Sequence, residues 1–469
     1  MNPSESVSGA KSNTGILMLA LLVACIAFQL NASMLSPVLV TMARELNTDD
    51  AAVGLSQTAF FTAAALFSLF LPRLSDIAGR RKVLTWMLAI MTVGTLVAAL
   101  APNITVLYIG RVIQGISGPV VPLCLMMLRN EITEPKKYGT MMGIITAVNG
   151  GIAGVDALAG GYLAANFGFR SVFWCITVVA ALATLFVAKW APESKPSAGT
   201  KMDWIGVALL VLTIACLLIA LNEAGKLSAA NWVFVIALVV AAAVLFIGFL
   251  RFENRCKQPL VTVYHMRQRS TWALLLTTVL TMMGVFATVN GLVASFAQNP
   301  TAGFGMSADA TSLALLMPYA VVGWLVGPFS GRLAPTLGYN NALRIGLLGS
   351  AVAIALMMFI GIHSLTMLIV CTVLIGVTYA GIANIILNGL GIVLSPPDNP
   401  GFLPGMNAGA FHLGAGLSFA ILPAIQVASS PAGSGSIQGY VDGMLVGLVI
   451  TLIAFGVSFL IPRPKDAEV

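Results

Sequence analysis

Fourteen predominantly apolar stretches, each about twenty residues long, follow one another along this chain with only short segments between them. They run roughly 15–39, 52–72, 83–101, 105–128, 139–164, 171–190, 204–222, 231–250, 270–296, 309–332, 342–361, 365–390, 404–428 and 438–462. A bilayer core about 30 Å thick needs about 20 apolar residues as helix, and only helices or closed barrels satisfy their backbone groups inside lipid. Runs of this length therefore predict an all-α polytopic membrane protein. Charge agrees: 58% of the 469 residues are hydrophobic and 9% are charged, against roughly 25% charged in a soluble domain. A net charge of +7 comes without a basic stripe interleaved with aromatics, so no nucleic-acid partner is expected. Five of six cysteines fall inside the apolar runs and no CxxC or CxxH spacing occurs, which argues against disulfides and structural zinc. The first run is too long for a signal-peptide core and is read as the first spanning helix.

Sidedness follows from basic residues. With the N-terminus in the cytoplasm, twenty Lys and Arg fall on that side, three (Arg44, Arg170, Lys226) fall opposite, and Arg111 is left inside the fourth span. An incorrect span count would scramble that asymmetry, so both termini are expected to be cytoplasmic. The chain also repeats itself. Arg73-Leu74-x4-Gly79-x4-Leu84 recurs as Arg332-Leu333-x4-Gly338-x4-Leu343 at an offset of 259, and Gly115 and Gly376 fall near equivalent places. The expected organisation is a tail (1–14), a six-helix half (15–190), a linker with two extra spans (191–269), a second six-helix half (270–462) and a tail (463–469).

Several motifs carry a resemblance. Asp76-Ile77-Ala78-Gly79-Arg80-Arg81-Lys82 resembles the loop between helices two and three of the major facilitator superfamily, and Arg111-x-x-Gln114-Gly115-x-Ser117-Gly118 resembles its fourth-helix motif. Asp203-Trp204-Ile205-Gly206 and Glu253-x5-Pro259-Leu260 resemble signatures of the fourteen-helix drug:proton antiporter branch. The resemblance covers nearly the whole chain. It implies the major facilitator fold, with two extra central helices between the halves, and a multidrug-efflux type of proton-coupled transporter in a bacterial inner membrane. In the switch loop Gly79 would make a tight turn, and Asp76 would cap a helix or pair with a base across the halves, with Arg80 and Arg81 beside it. Arg111 is associated in the family with proton coupling, although an arginine is always charged and so is not itself the carrier.

Departures from the family pattern matter as much. Asn31 stands where the family has a first-helix Asp, and the fifth helix keeps its small residues from Gly150 to Gly161 but lacks the antiporter proline. Within that helix stands Asp156, the one acidic residue read as deep in a span. A lone carboxylate in apolar surroundings is costly while charged, which suits a proton carrier. Asn149, two turns before it, shares its face. Gln29, Ser33 and Ser36 share a face of the first helix, and Asn384 and Asn388 share one further on; Gln29, Ser33, Asn384 and Asn388, with Asn31, Gln114 and Asn149, form the candidate substrate contacts. His412 lies within a span and is a second proton candidate beside Asp156 and Arg111.

The expected function is secondary active transport of small molecules, with protons and the bilayer as the other partners, by a monomer without metal or cofactor. Proton-driven export of amphipathic compounds is the first reading. Uptake or facilitated transport of an organic acid or other metabolite is the alternative, motivated by Asn31 and the altered fifth helix. A non-transporting sensor or assembly subunit is a third. No nucleophile–base arrangement or phosphate-binding Gly-Lys loop is present, so neither an enzyme nor an ATP-driven pump is expected.

Overall fold

The computed structural model describes residues 14–132, 135–194, 202–224, 230–256, 263–396, 402–430 and 436–464. Side chains at a few helical positions, Asn149 among them, lie outside the described set. Thirteen helices among the described residues are long and apolar enough to cross a membrane. The N-terminal half holds α1 (Thr14–Glu45), α2 (Asp50–Ala78), α3 (Arg80–Ala99), α4 (Ile104–Arg129) and α6 (Phe169–Trp190). The remaining expected span falls on α5 (Pro135–Phe167), a single 33-residue helix. The extra pair is α7 (Trp204–Leu221) and α8 (Trp232–Glu253). The C-terminal half comprises α9 (Arg269–Gln298), α10 (Ala308–Ala334), α11 (Tyr339–His363), α12 (Leu365–Val393), α13 (Phe402–Ala428) and α14 (Ile437–Leu460).

Helix ends are set by local chemistry. Asp49, Asn103, Asn231 and Ser436 cap α2, α4, α8 and α14 by accepting from the backbone N–H three residues on. The sequence repeat becomes a structural one at two glycines. Gly79 (φ +101°) joins α2 to α3 and Gly338 (φ +81°) joins α10 to α11, both in a region that side-chain-bearing residues avoid.

The halves meet along two seams. α2 packs on α13, and α5 wedges between α1 and α10. Small residues make the wedge possible: a Cβ at Gly160 would stand 2.2 Å from Met34 O, and one at Gly161 would stand 2.2 Å from Ser312 Oγ. The glycines retained in the fifth helix thus bring α5 against both neighbours. α7 and α8 pack on each other, and α7 packs on α2. Only 17% of the apolar window of α8 is buried, so this pair faces lipid.

Five helices are irregular inside the bundle. α1 tightens to a 3-10 turn at Ser36–Val38, where Pro37 removes a donor, and α4 does so at Gly115–Ser117, just before Pro119. Their repeat counterparts loosen instead: α9 has a π turn at Thr288–Val293 and α12 at Gly376–Ala383. A further π turn lies in α10 at Ser312–Leu316.

Candidate functional site

The site is organised around α1. Arg111, fully buried, projects from α4 toward it. Nη1 donates to Gln114 Oε1 at 2.6 Å, both terminal nitrogens reach the Asn31 carbonyl at 3.3 Å, and Nη2 donates to Gln57 Oε1. The guanidinium also lies 4.2 Å from the centroid of the Phe60 ring. Its neighbours are neutral oxygens and a π face, and no carboxylate pairs with it among the described residues. Nε of Arg111, Nε2 of Gln114 and Oδ1 of Asn31 are buried without a hydrogen-bond partner. Asn31 is fully buried and donates through Nδ2 to Ala27 O and toward Met91 Sδ. The Arg111 charge is therefore an interior one, well away from the lipid interface.

Asp156 occupies the other flank. It is 2% exposed, accepts from Ala157 N at 2.7 Å, and accepts at Oδ2 from the Ser33 hydroxyl. Gln29 Nε2 donates to Ser33 Oγ at 3.0 Å, so a donor chain runs from amide to hydroxyl to carboxylate. Asn31 and Ser33 are two residues apart on a helix, about 200° around its axis. One helix therefore separates the buried cation from the buried acid while touching both. Asn149, expected beside Asp156, lies outside the described residues.

Three of the contacts across the seam are between uncharged groups. Ser36 Oγ donates to Asn290 Oδ1 at 3.2 Å, Gln298 Nε2 donates to Pro37 O at 3.0 Å, and Thr58 Oγ1 donates to Gly416 O at 2.8 Å. Rings from both halves form one cluster. His412 of α13 lies 5.7 Å from Phe28 of α1 and 6.4 Å from Phe61 of α2, and Phe61 meets Phe286 of α9 at 5.4 Å. His412 is half-buried, and its Nδ1 has no partner among the described residues. Asn388 Nδ2 donates to Asn384 O at 2.9 Å and to Asn384 Oδ1 at 3.1 Å; Asn388 is exposed.

The switch loop corrects one expectation. Among the described residues Asp76 does not reach across the halves: it pairs with Arg80 in its own loop at 2.9 Å. Arg80 Nη1 also donates to Met126 O at 2.9 Å, fastening the loop to α4. The helix start that follows is capped by Glu193, which accepts from Arg81 N at 3.0 Å and Lys82 N at 3.2 Å and lies 3.7 Å from Arg81 Nε. Two acids flagged by motif are buried, and a third was missed by sequence reasoning. Asp203 and Glu253, already flagged by motif, are 7% and 2% exposed around Gly206, at the ends of the extra pair. Asp50, in the polar run Asn47-Thr48-Asp49-Asp50, is drawn into the seam by Ser295.

Comparison with known proteins adds the rest. A family model described as Major Facilitator Superfamily matches residues 21–419. The chain is 50% identical over 458 residues to the uridine/deoxyuridine transporter of Lactococcus lactis subsp. cremoris (strain MG1363), covering 97% of this chain and 95% of that one. It is 23% identical over 354 residues to multidrug resistance protein 3 of Bacillus subtilis (strain 168), covering 75% and 68%. Among solved structures, the nucleoside transporter NupG superposes with a TM-score of 0.63 at 14% identity, covering 95% of this chain and 100% of that one, a likeness of fold alone.

Proposed function

We propose that this chain, which belongs to the major facilitator superfamily and is a secondary transporter rather than an enzyme, takes up nucleosides of the uridine type. The observation that carries this reading is the 50% identity to a uridine/deoxyuridine transporter along 97% of the chain, against 23% to a drug-resistance protein. Two departures in the sequence agree with it. The first helix offers Asn31 where a drug antiporter has an acid, and the fifth lacks the antiporter proline.

A nucleoside is neutral, with a flat base and several hydroxyls. Its recognition calls for aromatic faces and uncharged hydrogen-bonding groups, since a buried charge without a charged ligand would be costly. The rings of Phe28, Phe61 and His412 offer such faces, and Gln29, Ser33, Asn384 and Asn388 supply amide and hydroxyl contacts. Asp156 takes a proton and releases it on the other side, making uptake concentrative. The donor chain from Gln29 through Ser33 connects that carboxylate to the substrate-facing helix. Arg111, held by neutral partners, keeps a positive field on the far flank of α1 that disfavours a second cation. Rocking of the two halves about the seams exposes the site to each side in turn. The working unit is a monomer with both termini in the cytoplasm.

The test is uptake of labelled uridine into proteoliposomes under an imposed proton gradient, with amphipathic cations in parallel. Concentrative uridine uptake supports the reading. Cation-triggered proton movement without uridine uptake would return the protein to drug export, the second reading, which rests on the fourteen-helix motifs at Asp203 and Glu253.

A further inference from the structure

A second polar cluster lies at the seam, away from Asp156. Ser295 of α9 donates its hydroxyl to Asp50 at the start of α2. Ser295 Oγ and Tyr440 Oη are 2.8 Å apart, and Asn299 Nδ2 donates to Tyr440 Oη at 3.4 Å. The protons in this chain have one direction. An ionised Asp50 carboxylate can only accept, so the serine proton goes to Asp50 and the tyrosine proton to Ser295, while the Asn299 amide donates to the tyrosine oxygen. A relay of three groups of the C-terminal half thus ends, through Ser295, on one carboxylate of the N-terminal half.

Beside this chain is a cavity of about 10 Å³, room for one water-sized occupant, lined by Asp50, Gly54, Gly291, Ser295, Phe419 and Gln426 among others. Gln426 is 3% exposed, and its side-chain oxygen is buried with no partner among the described residues. Gly54 is needed here: a Cβ would stand 2.6 Å from Phe419 O and hold α2 off α13. Asp50 has no Lys or Arg partner within 4.0 Å among the described residues. The titratable groups that face it are Asp49, which caps the same helix, and Tyr440. An anionic oxygen and an orphaned amide oxygen thus line one small space at the closing surface, with no thiol or imidazole among the lining residues.

We propose that this cavity binds one small monovalent cation, a sodium ion or a proton, which neutralises Asp50 as the halves close over it. Hard oxygen donors suit such a cation, and a single carboxylate matches one positive charge. Asp50 and Gln426 come from opposite halves, so the ion is bound only when the seam is shut, and it favours the shut state by its differential affinity.

The test needs no nucleoside, so its outcome is independent of the cargo. Thermal unfolding of the purified full chain would be followed in sodium chloride against choline chloride at matched ionic strength, then across pH in choline. The pH arm uses an Asp156→Asn background, which removes the other carboxylate. Cation binding to the folded state raises the unfolding midpoint. Asp50→Asn and Gln426→Leu each weaken the half-maximal response by about tenfold or more, equivalent to about 1.4 kcal/mol. A sodium response lost in these variants identifies sodium; a response to pH alone, lost in Asp50→Asn, identifies the proton. No response in wild type, or one unchanged in both variants, overturns the proposal and leaves a bridging water. Gln426→Leu keeps the test decisive should Asp50→Asn fail to fold.

Discussion

The two halves interrupt corresponding helices in opposite ways. In the N-terminal half α1 and α4 tighten, at Ser36–Val38 and Gly115–Ser117; in the C-terminal half α9 and α12 widen, at Thr288–Val293 and Gly376–Ala383. Charge divides along the same line. Arg111 and Asp156 are buried in the first half, whereas the buried polar groups of α9 to α14 are hydroxyls and amides such as Thr278, Asn290, Asn407 and Ser418. The two facts belong together. A buried charge needs several partners at fixed distances, and a tight turn with a proline beside it holds carbonyls in place. A neutral, wider turn gives up that rigidity and keeps spare register, a common feature of π turns near functional sites.

The sharpest way to break this contrast is at the acid. Asp156→Asn is expected to abolish accumulation of uridine against its gradient while leaving exchange of labelled for unlabelled uridine at equal concentration. Retained accumulation would remove the proton from Asp156. Next comes a pair read by thermal unfolding. Arg111→Ala leaves Gln57, Gln114 and the Asn31 carbonyl without their donor and opens a cavity, for a loss of about 3–5 kcal/mol. Asn290→Ala in the other half removes one bond from Ser36 and is expected to lose about 1 kcal/mol. Equal losses would erase the division of labour.

The glycine turns offer a finer comparison. Gly338→Ala meets only the strain of a positive φ, about 1–2 kcal/mol, since its nearest neighbour would be Asn341 Nδ2 at 3.9 Å. Gly79→Ala meets similar strain and also places a Cβ 2.6 Å from Glu193 Oε1, disturbing the cap on α3. It is expected to be the more damaging of the two, measured as the difference in unfolding midpoint. The smallest effect is Thr58→Val, which deletes the hydroxyl bond to Gly416 O while keeping shape, for about 0.5–1.5 kcal/mol. It should leave uridine affinity unchanged in a binding titration.

Much of this was legible from residues alone. Apolar runs of spanning length located the helices, and the offset between Arg73-Leu74-x4-Gly79 and Arg332-Leu333-x4-Gly338 anticipated two glycines at positive φ. Arg111 reads as interior because a guanidinium in an apolar run must find oxygens, and it does. The Asp76 pairing did not read correctly. Order along the chain shows that a base is four residues away, but not whether a more distant one competes. Asp50 was invisible for a related reason. Its neighbours are polar, as in any loop, and its partner Ser295 is 245 residues away, joined to it only by the docking of one half on the other. The first reading leaned toward drugs, and the comparison favours the metabolite alternative, because the motifs that define the family belong to its switching machinery, while the groups that would meet substrate are scattered amides and rings without fixed spacing.

The placement of α7 and α8 has a mechanical consequence. α7 packs on α2 and carries α8, and the pair otherwise faces lipid, so a tilt of the N-terminal half would sweep a two-helix paddle through the bilayer with it. Each stroke displaces acyl chains as well as protein, and the viscosity of the surrounding membrane becomes a drag on the turnover rate.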